Sequence, residues 1–319
     1  MPGSSLGLLS RLWLREPDSE ALAASREFPS VAPHAGDEPP AMAVAYADLF
    51  LLNVYPYGTA FTDPSGELGG PNAGWTARRY EDRGFRPLEL SEVGAPDHVG
   101  LCLGFLKHLA RGGEKDIEFC SSLLKWVPVC CVAVEREPSA HPFYRAVAAV
   151  TRERLMEDIP ESLPPAFDSR ESAPEGTDPE EEDLGLSHVV RLLLAPARSG
   201  LYLSRARLGQ LARAAGMRLP FGSRFDVARL LFQTAGECGK VGQVLDLLGE
   251  ELSVWESAYG SWAEEHRRWA PSAARWLNRT GETRRMLRQM REILENPPEL
   301  EYADGMSGRE TRGSSGRLK

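Results

Sequence analysis

Apolar residues recur at helical spacing along nearly all of this chain, and the alternation expected of strands is nearly absent. Val99, Cys102, Leu103, Leu106 and Leu109 form one stripe, which Gly112-Gly113 closes. Steps of three and four residues put such side chains on a single face of a helix. Phe119, Leu123, Val127, Cys130 and Val134 keep the same rhythm, with a kink expected at Pro128. His141-Pro142 reads as a helix start with proline in the first turn, after which Phe143, Val147 and Val150 face inward. Ser204 caps a helix over 205–215, and further helices are expected over 225–235, 241–259, 269–278 and 282–294. The pattern predicts an all-α protein built from helical bundles.

The periodicity stops once, between Pro160 and Glu182. Proline, serine and acidic residues fill that stretch. A segment of this composition buries too little apolar surface to offset its ordering entropy, so it reads as a linker. The expected organisation is a helical domain over 1–159, an acidic linker over 160–186, a second helical domain over 187–300 and a tail over 301–319. A proline-rich stretch over 29–40 interrupts the first domain. Leu192, Leu193, Leu208, Leu211, Phe225, Leu231, Phe232, Leu245, Leu248, Trp255 and Trp276 are the expected core of the second.

Charge follows the same division. Residues 1–160 hold 15 Lys/Arg against 22 acids, 161–186 hold one against nine, and 187–319 hold 21 against 15. The net charges are −7, −8 and +6, within a whole of −9. An acidic first domain suits a basic peptide better than nucleic acid. No apolar run reads as a membrane span. The patch over Leu6–Leu14 is broken by Ser10 and Arg11, so it reads as a structural helix and not as a secretory signal. A cytoplasmic location is expected.

Chemistry-bearing patterns are sparse. The five cysteines, Cys102, Cys120, Cys130, Cys131 and Cys238, form no C-x-x-C pair and are expected to be mostly buried thiols. Cys102 and His108 lie six apart and do not share a helix face, so a metal site with His98 is disfavoured. Gly236 to Lys240 lacks the spacing of a phosphate loop. No nucleophile–base or paired-acid constellation is present, so no catalysis and no bound cofactor are expected.

What remains is an ordered set of short motifs. Tyr46, Leu49 and Phe50 form Y-x-x-L-F. Pro56, Tyr57, Gly58, Thr59 and Phe61 follow, then Arg78, Tyr80, Gly84 and Phe85. Pro96-Asp97-His98 precedes a helix bearing Phe105, Leu106 and Leu109. Trp126, Pro128 and His141-Pro142-Phe143-Tyr144 close the series. In order and spacing, residues 6–158 resemble the TorD/DmsD/NarJ family of cytoplasmic chaperones for molybdenum-containing redox enzymes.

The resemblance implies a TorD-like helical bundle and a client-specific chaperone. Such a chaperone binds the twin-arginine leader, or N-terminal region, of a molybdoenzyme catalytic subunit until the cofactor is inserted. It implies client-peptide contacts at Tyr57, Tyr80, Asp97, His98, Phe105, Trp126 and Tyr144, and leaves a homodimer open. The sequence departs from the family at four places. Gly58 replaces a glutamate, Gly94-Ala95 replaces an acidic position, and Cys102 and Gly104 stand where acids are common. If those acids meet a basic leader in the family, this protein uses other carboxylates or binds a less basic segment. On residue chemistry alone, Asp97 reads first as an N-cap, and Tyr57, Tyr80 and Trp126 read first as core aromatics. The alternative reading is a regulatory or interaction module with a helix-turn-helix-like second domain.

Overall fold

A computed structural model describes residues 2–66, 68–158 and 186–296. The first half comprises α1 (Pro2–Leu14), α2 (Ser19–Ser25), α3 (Pro39–Tyr46), α4 (Gly58–Thr62), α5 (Pro71–Asp82), α6 (Leu90–Val93), α7 (Val99–Arg111), α8 (Ile117–Leu124), α9 (Val127–Arg136) and α10 (Pro142–Asp158). The second comprises α11 (Leu186–Leu194), α12 (Pro196–Ser199), α13 (Arg205–Ala214), α14 (Arg224–Glu237), α15 (Val241–Glu265) and α16 (Ala270–Glu295). No strand occurs among the described residues, and the protein is all-α. One isolated antiparallel bridge joins Tyr57 to His98.

Helix α1 lies along α7, and two small residues set their distance. A side chain at Gly100 would put its Cβ 2.9 Å from the Ser10 carbonyl oxygen, so glycine is required for this approach. Ser10 Oγ then donates to Gly100 O at 2.7 Å. Helices α9 and α10 pack on each other, and α10 packs on α1 through Thr151 and Trp13. The residues 117–136 are apolar and long enough to cross a membrane, contrary to the expectation from sequence. They are, however, two helices, and 78% of their most apolar stretch is buried inside the protein. The expected kink at Pro128 is in fact a break at Lys125-Trp126, with Pro128 in the first turn of α9.

The second half is less separate than its composition suggests. Its buried residues belong to the same hydrophobic cluster as those of the first. Trp269 Nε1 donates to Leu124 O at 2.9 Å, and Trp276 Nε1 donates to Lys125 O at 3.0 Å. Both carbonyls are at the C-terminal end of α8, where a helix leaves its last acceptors unpaired. Arg152 holds Glu135 through two contacts of 2.7 and 2.9 Å and lies 3.5 Å over the Trp262 ring. Through Trp262, Trp269 and Trp276 the second half therefore packs directly on the first. Apart from Leu186, the expected linker over 160–186 lies outside the described residues, as does the tail. The expected helices over 269–278 and 282–294 are one continuous helix, α16. Within the expected second core, Leu192 and Phe225 are only half-buried.

Candidate functional site

Two motifs that are far apart in sequence meet at one junction. Val99 N donates to Pro56 O and Gly58 N donates to Asp97 O, each at 2.9 Å. This short backbone pairing locks Pro56-Tyr57-Gly58 against Asp97-His98-Val99. Asp97 does not cap α7, as its position suggested. Its Oδ2 accepts from Thr59 N at 2.6 Å, so it caps the neighbouring α4 instead. His98 is the residue that caps α7, its Nδ1 accepting from Gly100 N at 3.0 Å.

Burial shapes the protonation of both groups. Asp97 is 1% exposed, and loss of water raises its carboxyl above the usual range, against the pull of Thr59. Asp97 Oδ1 and Thr59 Oγ1 are buried without a partner in hydrogen-bond geometry. His98 is 2% exposed, and desolvation lowers its pKa to about 3. The neutral ring that results accepts through Nδ1 and carries its proton on Nε2.

Two tyrosines tie down the loop that leads into the junction. Tyr57 is half-buried, donates to Val93 O at 2.7 Å and meets the His98 ring edge-on at 4.9 Å. Tyr80 is buried, donates to Pro96 O at 2.9 Å and lies 3.6 Å from Cys102 Sγ. Burial pushes the Tyr80 phenol and the Cys102 thiol well above their ordinary values, so both stay protonated. Trp126 forms the floor under Gly58. A Cβ at Gly58 would meet Asn72 Nδ2 at 2.6 Å and Trp126 Cε2 at 3.1 Å. That crowding is the physical reason for glycine where the resembling family carries glutamate.

Tyr57, Tyr80, Asp97, His98 and Trp126 therefore come together. Phe105 stands behind them, fully buried with its ring 4.9 Å from that of Tyr80. Tyr144 belongs to a separate cluster with Tyr46 and Phe50 and is 1% exposed. Sequence reasoning gave no role to Thr59, Asn72 or Tyr202. The Tyr202 ring stacks on Phe61 at 5.2 Å, and Phe61 stacks on Trp126. The Tyr202 hydroxyl donates to Asn53 O at 3.0 Å and accepts from Tyr55 N at 3.2 Å. A lone tyrosine so far along the chain carries no local signal of that partnership. Among the described residues, no three His, Cys, Asp or Glu groups are placed to hold a metal.

Residues 15–131 match the family described as nitrate reductase delta subunit. Over that segment the chain is similar to this NarJ/TorD-type family. The match covers less than half of the chain and leaves the second half unassigned. No curated protein and no solved structure matches the chain.

Proposed function

We propose that this protein binds the N-terminal leader region of a molybdoenzyme catalytic subunit and holds it, in the cytoplasm, until cofactor insertion precedes export. The observation that carries the reading is the junction itself. Two motifs of the family region are joined by backbone pairing, and Tyr57 stands half-exposed at its rim. The adjoining segment presents Leu88, 88% exposed, beside Glu89 and Glu92, whose side chains are 36% and 62% exposed. An apolar side chain next to carboxylates complements a leader that has a hydrophobic stretch and an arginine pair. Glu89 and Glu92 each lie 3.6 Å from Arg15, and a bidentate arginine can displace so loose a surface contact.

Tyr57 is the contact residue in this reading. Asp97, His98, Tyr80 and Trp126 hold it in place from beneath, and Phe105 and Tyr144 act through the core. The regulatory alternative has less support. Nine residues, 215–223, separate α13 from α14, whereas a helix-turn-helix joins its helices through a turn of about three or four.

Calorimetry of the full chain with a leader peptide from a molybdoenzyme catalytic subunit of the same genome tests the proposal. Binding at tens of micromolar or tighter is expected, roughly 6–7 kcal/mol or more. Tyr57→Ala should weaken it by about tenfold, or about 1.4 kcal/mol. Absence of heat at those concentrations would refute the reading.

A further inference from the structure

A cleft of about 440 Å³ lies between α1, α7 and the segment Phe85–Glu89, apart from the Tyr57 junction. Its walls include Leu14, Leu101, Phe85 and Pro87. Gly104 opens the floor, since a Cβ there would already meet Ser10 Oγ at 3.2 Å and Phe85 Cζ at 3.5 Å. Four cations ring it, Arg11 on α1, Arg15 just past its end, and Lys107 and Arg111 on α7, against the single lining carboxylate of Glu89. We infer that this cleft is a binding site for a small organic anion, an apolar body carrying a phosphate or carboxylate group.

Three observations support that ligand chemistry. The volume is that of a small-molecule site, and an apolar wall with a few charged groups is the usual composition of one. Lys107 and Arg111 stand four residues apart on α7, a like-charge spacing that weakens a helix and is relieved by a bound anion. The surrounding protein is acidic, with a net charge of −9, so the clustering runs against the bulk composition.

The four cations are not equally engaged. Arg11 contacts Asp18 and Glu20, and Arg15 contacts Glu89 and Glu92, all through exposed or half-exposed pairs that exchange cheaply. Lys107 and Arg111 have no ion pair among the described residues. His108 is held by Arg83 O, 3.0 Å from its Nε2, and serves as wall. The cleft shares Glu89 and Arg15 with the edge of the proposed leader contact, but its four cations would repel a twin-arginine leader from its interior.

The probe is 8-anilinonaphthalene-1-sulfonate, an apolar body with one anionic group, titrated into the full chain by fluorescence. One saturable site that weakens as salt rises is expected. Lys107→Gln with Arg111→Gln should weaken binding at least tenfold without lowering the thermal melt. Gly104→Leu should block binding with all four cations intact. Displacement by pyrophosphate assigns the natural group as phosphate, and displacement by citrate assigns it as carboxylate. Equal binding by the double variant, salt-independent binding, or displacement by neither anion would overturn the inference.

Discussion

Between Tyr46 and Arg111 the chain turns through short helices and tight loops, whereas α15 and α16 run for 25 and 26 residues. Buried polarity divides in the same way. Thr59 Oγ1, Asp97 Oδ1, Asp116 Oδ2 and the Nε atoms of Arg136, Arg145 and Arg152 are buried without a hydrogen bond in the first half. In the second half, only His266 Nε2 is so placed among the described residues. The second half instead directs its polar atoms outward into the first, as the indoles of Trp269 and Trp276 and the hydroxyl of Tyr202 do. An unpaired buried polar atom costs roughly 1–3 kcal/mol. Two of these atoms, on Thr59 and Asp97, lie at the motif junction, and the second half braces the first through Trp269, Trp276 and Tyr202.

The largest effect expected from this contrast is that of Trp269→Ala. Trp269 is fully buried, and its loss should lower the unfolding free energy by about 3–5 kcal/mol. Hydrogen exchange should speed up in α8 and α9 as well as in α16. Loss of protection confined to the second half would break the claim of a shared core.

His98 comes next. Its folded pKa of about 3 lies below the ordinary 6.5, so its stabilising contribution is present above pH 6.5 and is lost as pH falls towards 3. The total is on the order of 4 kcal/mol. His98→Asn keeps an acceptor for Gly100 N but does not titrate. The difference between the acid-unfolding profiles of variant and parent should therefore grow across that window. Parallel profiles would mean that His98 is hydrated.

Gly58→Glu restores the family's residue and should cost about 1–3 kcal/mol by crowding Asn72 and Trp126, measured by urea unfolding. Asp97→Asn should have the smallest effect. Its oxygen can still accept from Thr59 N, so stability at neutral pH should change by under about 1 kcal/mol. The folded carboxyl is raised, so its contribution is present below about pH 3.8 and lost as pH rises through the folded value. Asp97→Asn should remove that part of the pH dependence while leader binding falls. Unchanged leader binding would leave Asp97 with a structural role alone.

Much of the helical order was legible in the sequence because amphipathic stripes depend on local spacing. Ser204 caps α13 through Arg207 N as its position predicts, and Pro142 opens α10. Four of the five cysteines are buried, with Cys238 exposed. The misread boundaries have local causes. The gap expected over 279–281 is overridden by the packing of α16 on α15, and Pro128 sits harmlessly in a first turn where its missing N–H costs nothing. The site was legible as a set of motifs but not as a geometry. Asp97 and His98 are adjacent polar residues, and only the folded chain decides that one caps α4 and the other α7. The Tyr202 contact spans 147 residues, and no periodicity encodes it.

The shared core is tested most directly by cutting the chain at an inserted protease site between Pro160 and Glu182. The two fragments should remain associated on gel filtration and unfold together in one cooperative transition, because Trp269, Trp276 and Tyr202 are bound into the first half. Separation into two folded fragments, each with its own transition, would contradict the account.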